Sequence, residues 1–169
     1  MNMVKKIVLF TLMLFPVAVF AQDASKMAYI NPLEVITVMP EYKVAADSLQ
    51  KTREEFQVAL QEYQDKFNRE YTDLLLKRDS LSEAMYIMKQ QEVNGIRERA
   101  ENYQQYAQQK AEELQTALFT PIYAKFQKAI EAVSKENNFI FVMNNEVFLY
   151  TSPNMIDAAP LVKKKLGIQ

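Results

Sequence analysis

The chain has 169 residues with 20 basic and 21 acidic side chains, so its formal net charge is only −1. It contains no Cys, no His and only two Gly, which excludes thiol or imidazole catalysis, the usual zinc sites and glycine-rich phosphate loops. The low net charge gives no support for a broad attraction to nucleic acid. The sequence therefore predicts a protein that is not an enzyme, carries no cofactor or metal, and does not bind nucleic acid.

The first 21 residues carry an export pattern. Lys5 and Lys6 precede an apolar run of 14 residues, and a small-x-small motif ends at Ala21. This layout predicts a secretory signal peptide cleaved after Ala21, because the run is shorter than the ~20 residues of a membrane span. We expect the mature chain to be one domain over residues 22–169, with no membrane span. It would carry 18 basic and 21 acidic groups, a net charge of −3.

The mature chain opens with a strand and a short helix. Residues 27–30 are apolar and favour a strand, and Asn31 can cap the helix that follows. Pro32 suits the first helical position, and Glu34 can reach back to the cap. Pro40 should end this helix and open the next one. The residues expected to be buried here are Leu33, Val35, Ile36 and Met39.

Residues 42–137 form a continuous helical pattern with one Gly and one Pro. Apolar residues recur with the 3.5-residue spacing of helices that wind around a neighbour. They are Leu49, Phe56, Leu60, Tyr63, Phe67, Leu74, Leu81 and Met88, then Val93, Ile96, Ala100, Tyr103, Ala107, Leu114 and Leu118. One rod of this length would extend ~140 Å, so we expect a long antiparallel helical hairpin. The breakers Asp79, Ser80 and Ser82 place its turn within 79–90.

Several residues interrupt the hairpin pattern. The heptad series puts Glu70 and Lys77 at core-type positions, with Lys110 in a similar place on the second arm. They indicate either ordinary coiled-coil irregularity or a flexible arm. Gly95 lowers helix stability, and Pro121 predicts a kink near the root of the second arm.

The C-terminal part changes to a strand pattern. Residues 139–143 and 147–150 are apolar and aromatic, and Asn144-Asn145 between them favours a β-hairpin. Residues 156–166 favour a last helix that ends at Gly167. The expected fold class is α+β, with a hairpin arm (42–137) projecting from a small β body (26–41 and 138–169). So small a body cannot bury its apolar strands alone, which favours sheets shared between copies.

The arms offer candidate binding residues around the turn. Tyr71 lies one residue away from a core position of the heptad repeat. Leu76 lies on a side of the helix that does not face the other arm. Met85, Tyr86 and Met88 belong to the most apolar part of the predicted tip, where flexible methionine side chains suit varied partners. The alternative is that these residues only seal the tip. Tyr63 and Tyr103 are expected in the seam between the arms.

With these elements in place, the chain resembles the OmpH/Skp family of periplasmic chaperones over essentially the whole mature chain. The segments that carry the resemblance are Met27-Ala28-Tyr29-Ile30-Asn31, Glu34-Val35, Met39-Pro40-Glu41-Tyr42-Lys43, Pro121-Ile122, Lys128-Ala129-Ile130 with Val133, Glu136-Asn137, and Val162-Lys163-Lys164-Lys165-Leu166-Gly167-Ile168. The resemblance implies a periplasmic homotrimer whose three hairpins surround a cavity. In that cavity the family holds unfolded outer-membrane proteins without ATP.

The chain departs from this family pattern in charge. Better-known members are strongly basic with positive tips, whereas residues 73–92 here carry three basic and four acidic side chains. A charge-based attraction to lipopolysaccharide or acidic clients therefore has no support, and apolar contact should dominate client capture. A second departure is Asp157-Ala158-Ala159-Pro160, which replaces the usual Asp-Ile-Thr type of helix opening and affects only the local cap.

The resemblance implies a holdase chaperone that keeps unfolded outer-membrane β-barrel proteins soluble. The alternative, from a different class, is a cell-envelope coiled-coil scaffold or adaptor whose hairpins dock end-on to one specific folded partner. Client binding is assigned to Tyr71, Leu76, Met85, Tyr86 and Met88. Trimerisation is assigned to the strands around Tyr29, Phe141 and Phe148 and to the helix that contains Leu161 and Leu166.

Overall fold

The computed structural model describes residues 26–168, and the predicted signal peptide lies outside this range. A small parallel sheet and two short helices form one end of the chain's fold, and a long antiparallel helical hairpin forms the rest. In chain order the elements are β1 (Lys26–Ile30), α1 (Pro32–Ile36), α2 (Pro40–Lys77), α3 (Glu83–Asn137), β2 (Phe139–Asn144), β3 (Ile156–Asp157) and α4 (Ala159–Leu166).

Helix α1 begins as the sequence predicts. The Asn31 side chain accepts hydrogen bonds from the backbone N–H groups of Leu33 at 3.1 Å and Glu34 at 3.4 Å, and Pro32 occupies the first turn. The Glu34 carboxylate does not reach back to the cap but pairs with Lys163 of α4. Val35, Ile36 and Met39 are buried as expected. The expectation for Leu33 is wrong, since 59% of its surface is exposed on the outer side of this short helix.

The hairpin consists of α2 and α3, 38 and 55 residues long, packed against each other. A 3₁₀ turn at Arg78–Ser80 separates them, and the Ser82 hydroxyl caps α3 by accepting from the Met85 N–H at 3.4 Å. The turn thus falls at the start of the predicted range. Helix α3 continues unbroken through Gly95 and Pro121.

The seam between the arms follows the predicted apolar series unevenly, and the seam position predicted for Met88 is wrong, since 52% of its surface is exposed. Five of its members are buried, whereas its aromatic members stay half-buried and contact one another across the seam. Tyr63 and Tyr103 meet there with ring centres 5.6 Å apart. Glu70 is half-buried, and Lys77 and Lys110 are exposed, so the polar insertions lie at the margin of the seam. The buried members are Leu49, Leu74, Val93, Ile96 and Ala107.

The sheet has the order β2-β1-β3 with all strands parallel. The predicted β-hairpin over residues 139–150 is therefore wrong. Only its first strand forms, because the Asn144 side chain accepts from the Glu146 N–H at 3.1 Å and starts a 3₁₀ turn at Asn145–Val147. Strand β2 therefore pairs with β1, and not with residues 147–150 as the sequence pattern predicted.

The last helix is shorter than predicted. Ile156 and Asp157 pair with β1 instead of joining the helix, and the Asp157 carboxylate accepts from the Ala159 N–H at 2.9 Å. Helix α4 ends at Gly167, whose φ of 74° gives the left-handed cap that the sequence predicts. The body core lies where one sheet face, α1, α4 and the roots of the hairpin meet. Its most buried members are Ala28, Val35, Met39, Ala158 and Val162.

Candidate functional site

The hairpin tip exposes apolar side chains on both arms. Tyr71 and Leu76 of α2 are 46% and 81% exposed, and Met85 and Met88 of α3 are about half exposed. These four residues lie on the two helical turns either side of the loop. The structure thus brings four of the five predicted client-binding residues to one end of the hairpin with free surface.

Two further apolar residues join them that sequence reasoning missed. Leu75 and Ile87 are also about half exposed. The exposure of Leu75 could have been predicted from the sequence, because Leu74 occupies the seam and successive helical residues diverge by ~100°. Leu75 and Leu76 must therefore both point away from the seam. We call the exposed set Tyr71, Leu75, Leu76, Met85, Ile87 and Met88 the apolar tip.

Tyr86, the fifth predicted residue, has a different environment. It is half-buried, and Arg78 Nη1 donates a hydrogen bond to its hydroxyl oxygen at 2.9 Å. The guanidinium carbon also lies 4.6 Å from the centre of the Tyr86 ring, a cation–π distance. Tyr86 therefore ties the loop to the first turn of α3 as well as presenting part of its ring to solvent.

The charged groups near the tip are largely paired with one another. Lys77 lies 2.6 Å from Asp73, and Lys89 lies 2.9 Å from Glu92 and 4.0 Å from Glu70 on the other arm. The hydrogen bond from Lys89 lowers the pKa of Glu92, and the same bond raises the pKa of Lys89. These pairs occupy both lysines, and residues 73–92 with three basic and four acidic groups keep a net charge of −1, so the tip has no positive surplus.

A second exposed apolar surface lies on the sheet. Met27 of β1 pairs in register with Phe141 of β2, and Tyr29 pairs with Met143. Because side chains alternate across a strand, these four share one face. Three of them are exposed and Tyr29 is half-buried, whereas Ala28 on the opposite face is fully buried.

The other residues assigned to trimerisation have mixed positions. Phe148 is half-buried in the segment after the 3₁₀ turn. Leu161 and Leu166 are half-buried and pack against the core of their own body. The sheet face is therefore the better exposed part of the predicted interface, and the assignment of all five residues to trimer contacts stays a prediction.

The described part of the chain holds no group of three or more acidic side chains placed to bind a metal ion. Within residues 26–168, no helix combines the length and the apolar character that a membrane span requires.

Comparisons with known proteins agree with this architecture. The model of the family described as outer membrane protein (OmpH-like) matches residues 26–166. A crystal structure of a candidate outer membrane chaperone (OmpH-like) from Caulobacter crescentus CB15 superposes with a TM-score of 0.71 at 13% identity, covering 84% of this chain and 83% of that one. Among curated proteins, none matches the chain at a significant level. With the family match spanning both the body and the hairpin, the chain belongs to the OmpH-like family.

Proposed function

We propose that this protein is an ATP-independent holdase chaperone that binds unfolded outer-membrane β-barrel proteins in the periplasm and prevents their aggregation. The observation that carries the proposal is the apolar tip, exposed at the end of a long hairpin. Taking a Leu or Met side chain from full exposure to full burial contributes ~1.5–3 kcal/mol, and because most tip side chains are already about half covered, a client gains roughly half of that from each. Several such contacts retain an unfolded chain without any one specific pocket.

The proposal includes the state in which the protein works. The mature chain is residues 22–169, a single domain released by cleavage after Ala21, and three copies assemble so that their hairpins surround the client. Support for assembly comes from the exposed sheet face formed by Met27, Tyr29, Phe141 and Met143. An intact mass of the periplasmic protein that begins at Gln22 is expected, and a retained Met1 would contradict export.

Aggregation assays test the proposal against the adaptor alternative. The mature protein should suppress light scattering by several unrelated unfolded β-barrel proteins diluted out of denaturant. A scaffold that docks to one folded partner would leave their aggregation unchanged. Suppression of none of them would overturn the holdase proposal.

Variants of the apolar tip and changes of salt concentration test whether apolar contact or charge holds the client. We expect the triple variant M85S/Y86S/M88S to bind an unfolded β-barrel protein at least about tenfold more weakly, because three apolar contacts are lost. Raising the salt from 0.1 M to 1 M shortens the screening length from ~10 Å to ~3 Å and should leave wild-type binding largely intact. Fluorescence titration of a labelled client at both salt concentrations measures both effects.

Two controls separate the tip surface from other effects. The double variant V44S/V58S removes exposed apolar side chains far from the tip and should bind normally. Y86F keeps the ring and removes only the hydroxyl that accepts from Arg78, so it should also bind normally. Collapse of binding at 1 M salt, with the triple variant unaffected, would mean that charge rather than the apolar tip holds the client.

A further inference from the structure

A long groove runs between α2 and α3 on one face of the hairpin, separate from the tip. It consists of two adjoining grooves with volumes of about 490 and 500 Å³. Gln57 lines both, so they join into one furrow. On α2 the furrow extends from Tyr42 to Phe67, a rise of ~38 Å at ~1.5 Å per residue.

Six glutamine side chains line this furrow. Each amide offers two N–H donors and one carbonyl acceptor, the same groups that a peptide main chain needs as partners. They are Gln50, Gln57, Gln61, Gln64, Gln104 and Gln115. This concentration of amides is unlike the apolar tip and calls for a different kind of contact.

These amides retain hydrogen-bonding capacity. Gln50 and Gln61 each use one N–H to reach a carboxylate four residues further on, at 2.9 Å, which leaves the second N–H and the carbonyl. Gln115 accepts from Arg53 at 2.8 Å and keeps both N–H groups. Gln57 and Gln104 make no side-chain hydrogen bond to any other part of residues 26–168. On α2, donors and acceptors therefore line the furrow from Gln50 to Gln64.

The furrow is electrically neutral. Its charged lining residues are two arginines and two glutamates, and Arg97 lies 3.9 Å from Glu101. A polyanion such as nucleic acid would find no surplus positive charge here. A polypeptide main chain, which is neutral and rich in hydrogen-bonding groups, matches the charge of the lining and its amide groups.

We propose that this furrow binds the main chain of an unfolded client in extended conformation, with glutamine amides bonding its peptide groups. At ~3.3 Å per residue, the furrow accommodates about 11 extended residues. Recognition through the main chain does not depend on client sequence, so the furrow adds sequence-independent binding to the apolar contacts of the tip. This inference rests on the proposed holdase function.

The test replaces furrow amides by an apolar side chain of similar length. Q57M/Q104M removes two amides that have no other side-chain partner, and we expect about five- to tenfold weaker binding of an unfolded β-barrel client. The matched control Q91M/Q105M changes two exposed glutamines that line neither groove and should bind as the wild type does. Circular dichroism and thermal unfolding check that both variants fold.

A second measurement isolates the main chain as the recognised group. A short extended peptide should compete with the client for wild-type protein, and the same peptide methylated on alternate main-chain nitrogens should compete several-fold less well, since it lacks those donors. The difference between the two peptides should shrink in Q57M/Q104M. Equal competition by both peptides would overturn the inference.

The remaining outcomes of these experiments separate a failure of the proposed function from a failure of this inference. A wild-type protein that binds no unfolded client overturns the proposed function and this inference together. Normal client binding by Q57M/Q104M overturns the inference alone. A neutral glucan oligosaccharide that binds the wild type but not Q57M/Q104M, with client binding unchanged in the variant, would assign the furrow to saccharide instead.

Discussion

The two glycines occupy backbone environments that predict opposite effects of the same substitution. Gly167 has a φ of 74°, where an L-residue is strained although nothing lies within 4 Å of an added Cβ. Gly95 lies inside α3, where an added Cβ would meet only the end of Arg99 at 3.9 Å. G167A should therefore destabilise the protein by about 1 kcal/mol, and G95A should stabilise it by about 0.5–1 kcal/mol.

Urea unfolding of both variants beside the wild type measures these differences. An equal slope of the free energy against urea in all three proteins would show that the surface exposed on unfolding is unchanged. A stabilising G167A would contradict the left-handed cap, and a destabilising G95A would contradict an intact helix at that position.

Glu41 and Lys125 form an ion pair that joins α2 to α3 at the root of the hairpin. The hydrogen bond from Lys125 lowers the pKa of Glu41 below its ordinary value, and a backbone hydrogen bond adds to this effect. A lowered carboxyl pKa in the folded state gives stability that is present above the unfolded pKa of about 4.3 and is lost as pH falls through the folded value. Because the pair is exposed, the contribution is small.

We therefore expect the melting temperature of E41Q to lie slightly below that of the wild type at neutral pH. This difference should vanish as the pH falls well below about 4.3, where both proteins lack the charged carboxylate. E131Q, which changes a carboxyl group with no salt bridge inside residues 26–168, controls for loss of charge alone. A difference that grows at acidic pH would contradict this sign.

At the scale of elements, local chemistry made most boundaries predictable. Asn31 and Pro32 start α1, Pro40 starts α2, and Gly167 ends α4, because each of these residues acts on the backbone next to it. The 3.5-residue repeat likewise predicted the paired arms, and the helix breakers at 79–82 placed their turn within residues 79–90. The apolar tip followed in part from the same repeat, which separates seam positions from outer ones.

The strand pairing was not predictable in this way. The Asn144-Asn145 sequence suits a tight hairpin, yet a strand that precedes it by more than a hundred residues takes the edge of β2. Pairing of β1 with β2 and β3 depends on how the hairpin returns the chain to the body, and no local pattern encodes that. The glutamine furrow was missed for a related reason, since it exists only where two distant helical faces meet.

At the scale of the whole molecule, the exposed sheet face predicts assembly. We expect sedimentation of the wild type at micromolar concentration to give a homotrimer. F141K should give a smaller species that is still folded, because a buried, unpaired charge at this face would oppose association.

I87K is the matched control, since Ile87 is comparably exposed but lies at the tip. It should remain trimeric. A stable folded monomer of the wild type at this concentration would contradict the prediction. Leu161 and Leu166 are less suitable targets, because they pack on the core of their own body and their loss would first affect folding.

The central place of β1 in the sheet sets the order in which the body can be completed. Both partners of β1 follow the entire hairpin in the chain, and synthesis delivers the N-terminus first. The two arms can pack against each other before the strands that pair with β1 have been made. A product truncated before Phe139 would keep both arms yet lack a sheet, leaving an apolar strand open to proteolysis. Completion of the sheet therefore requires the residues through Asp157, which supply both partners of β1.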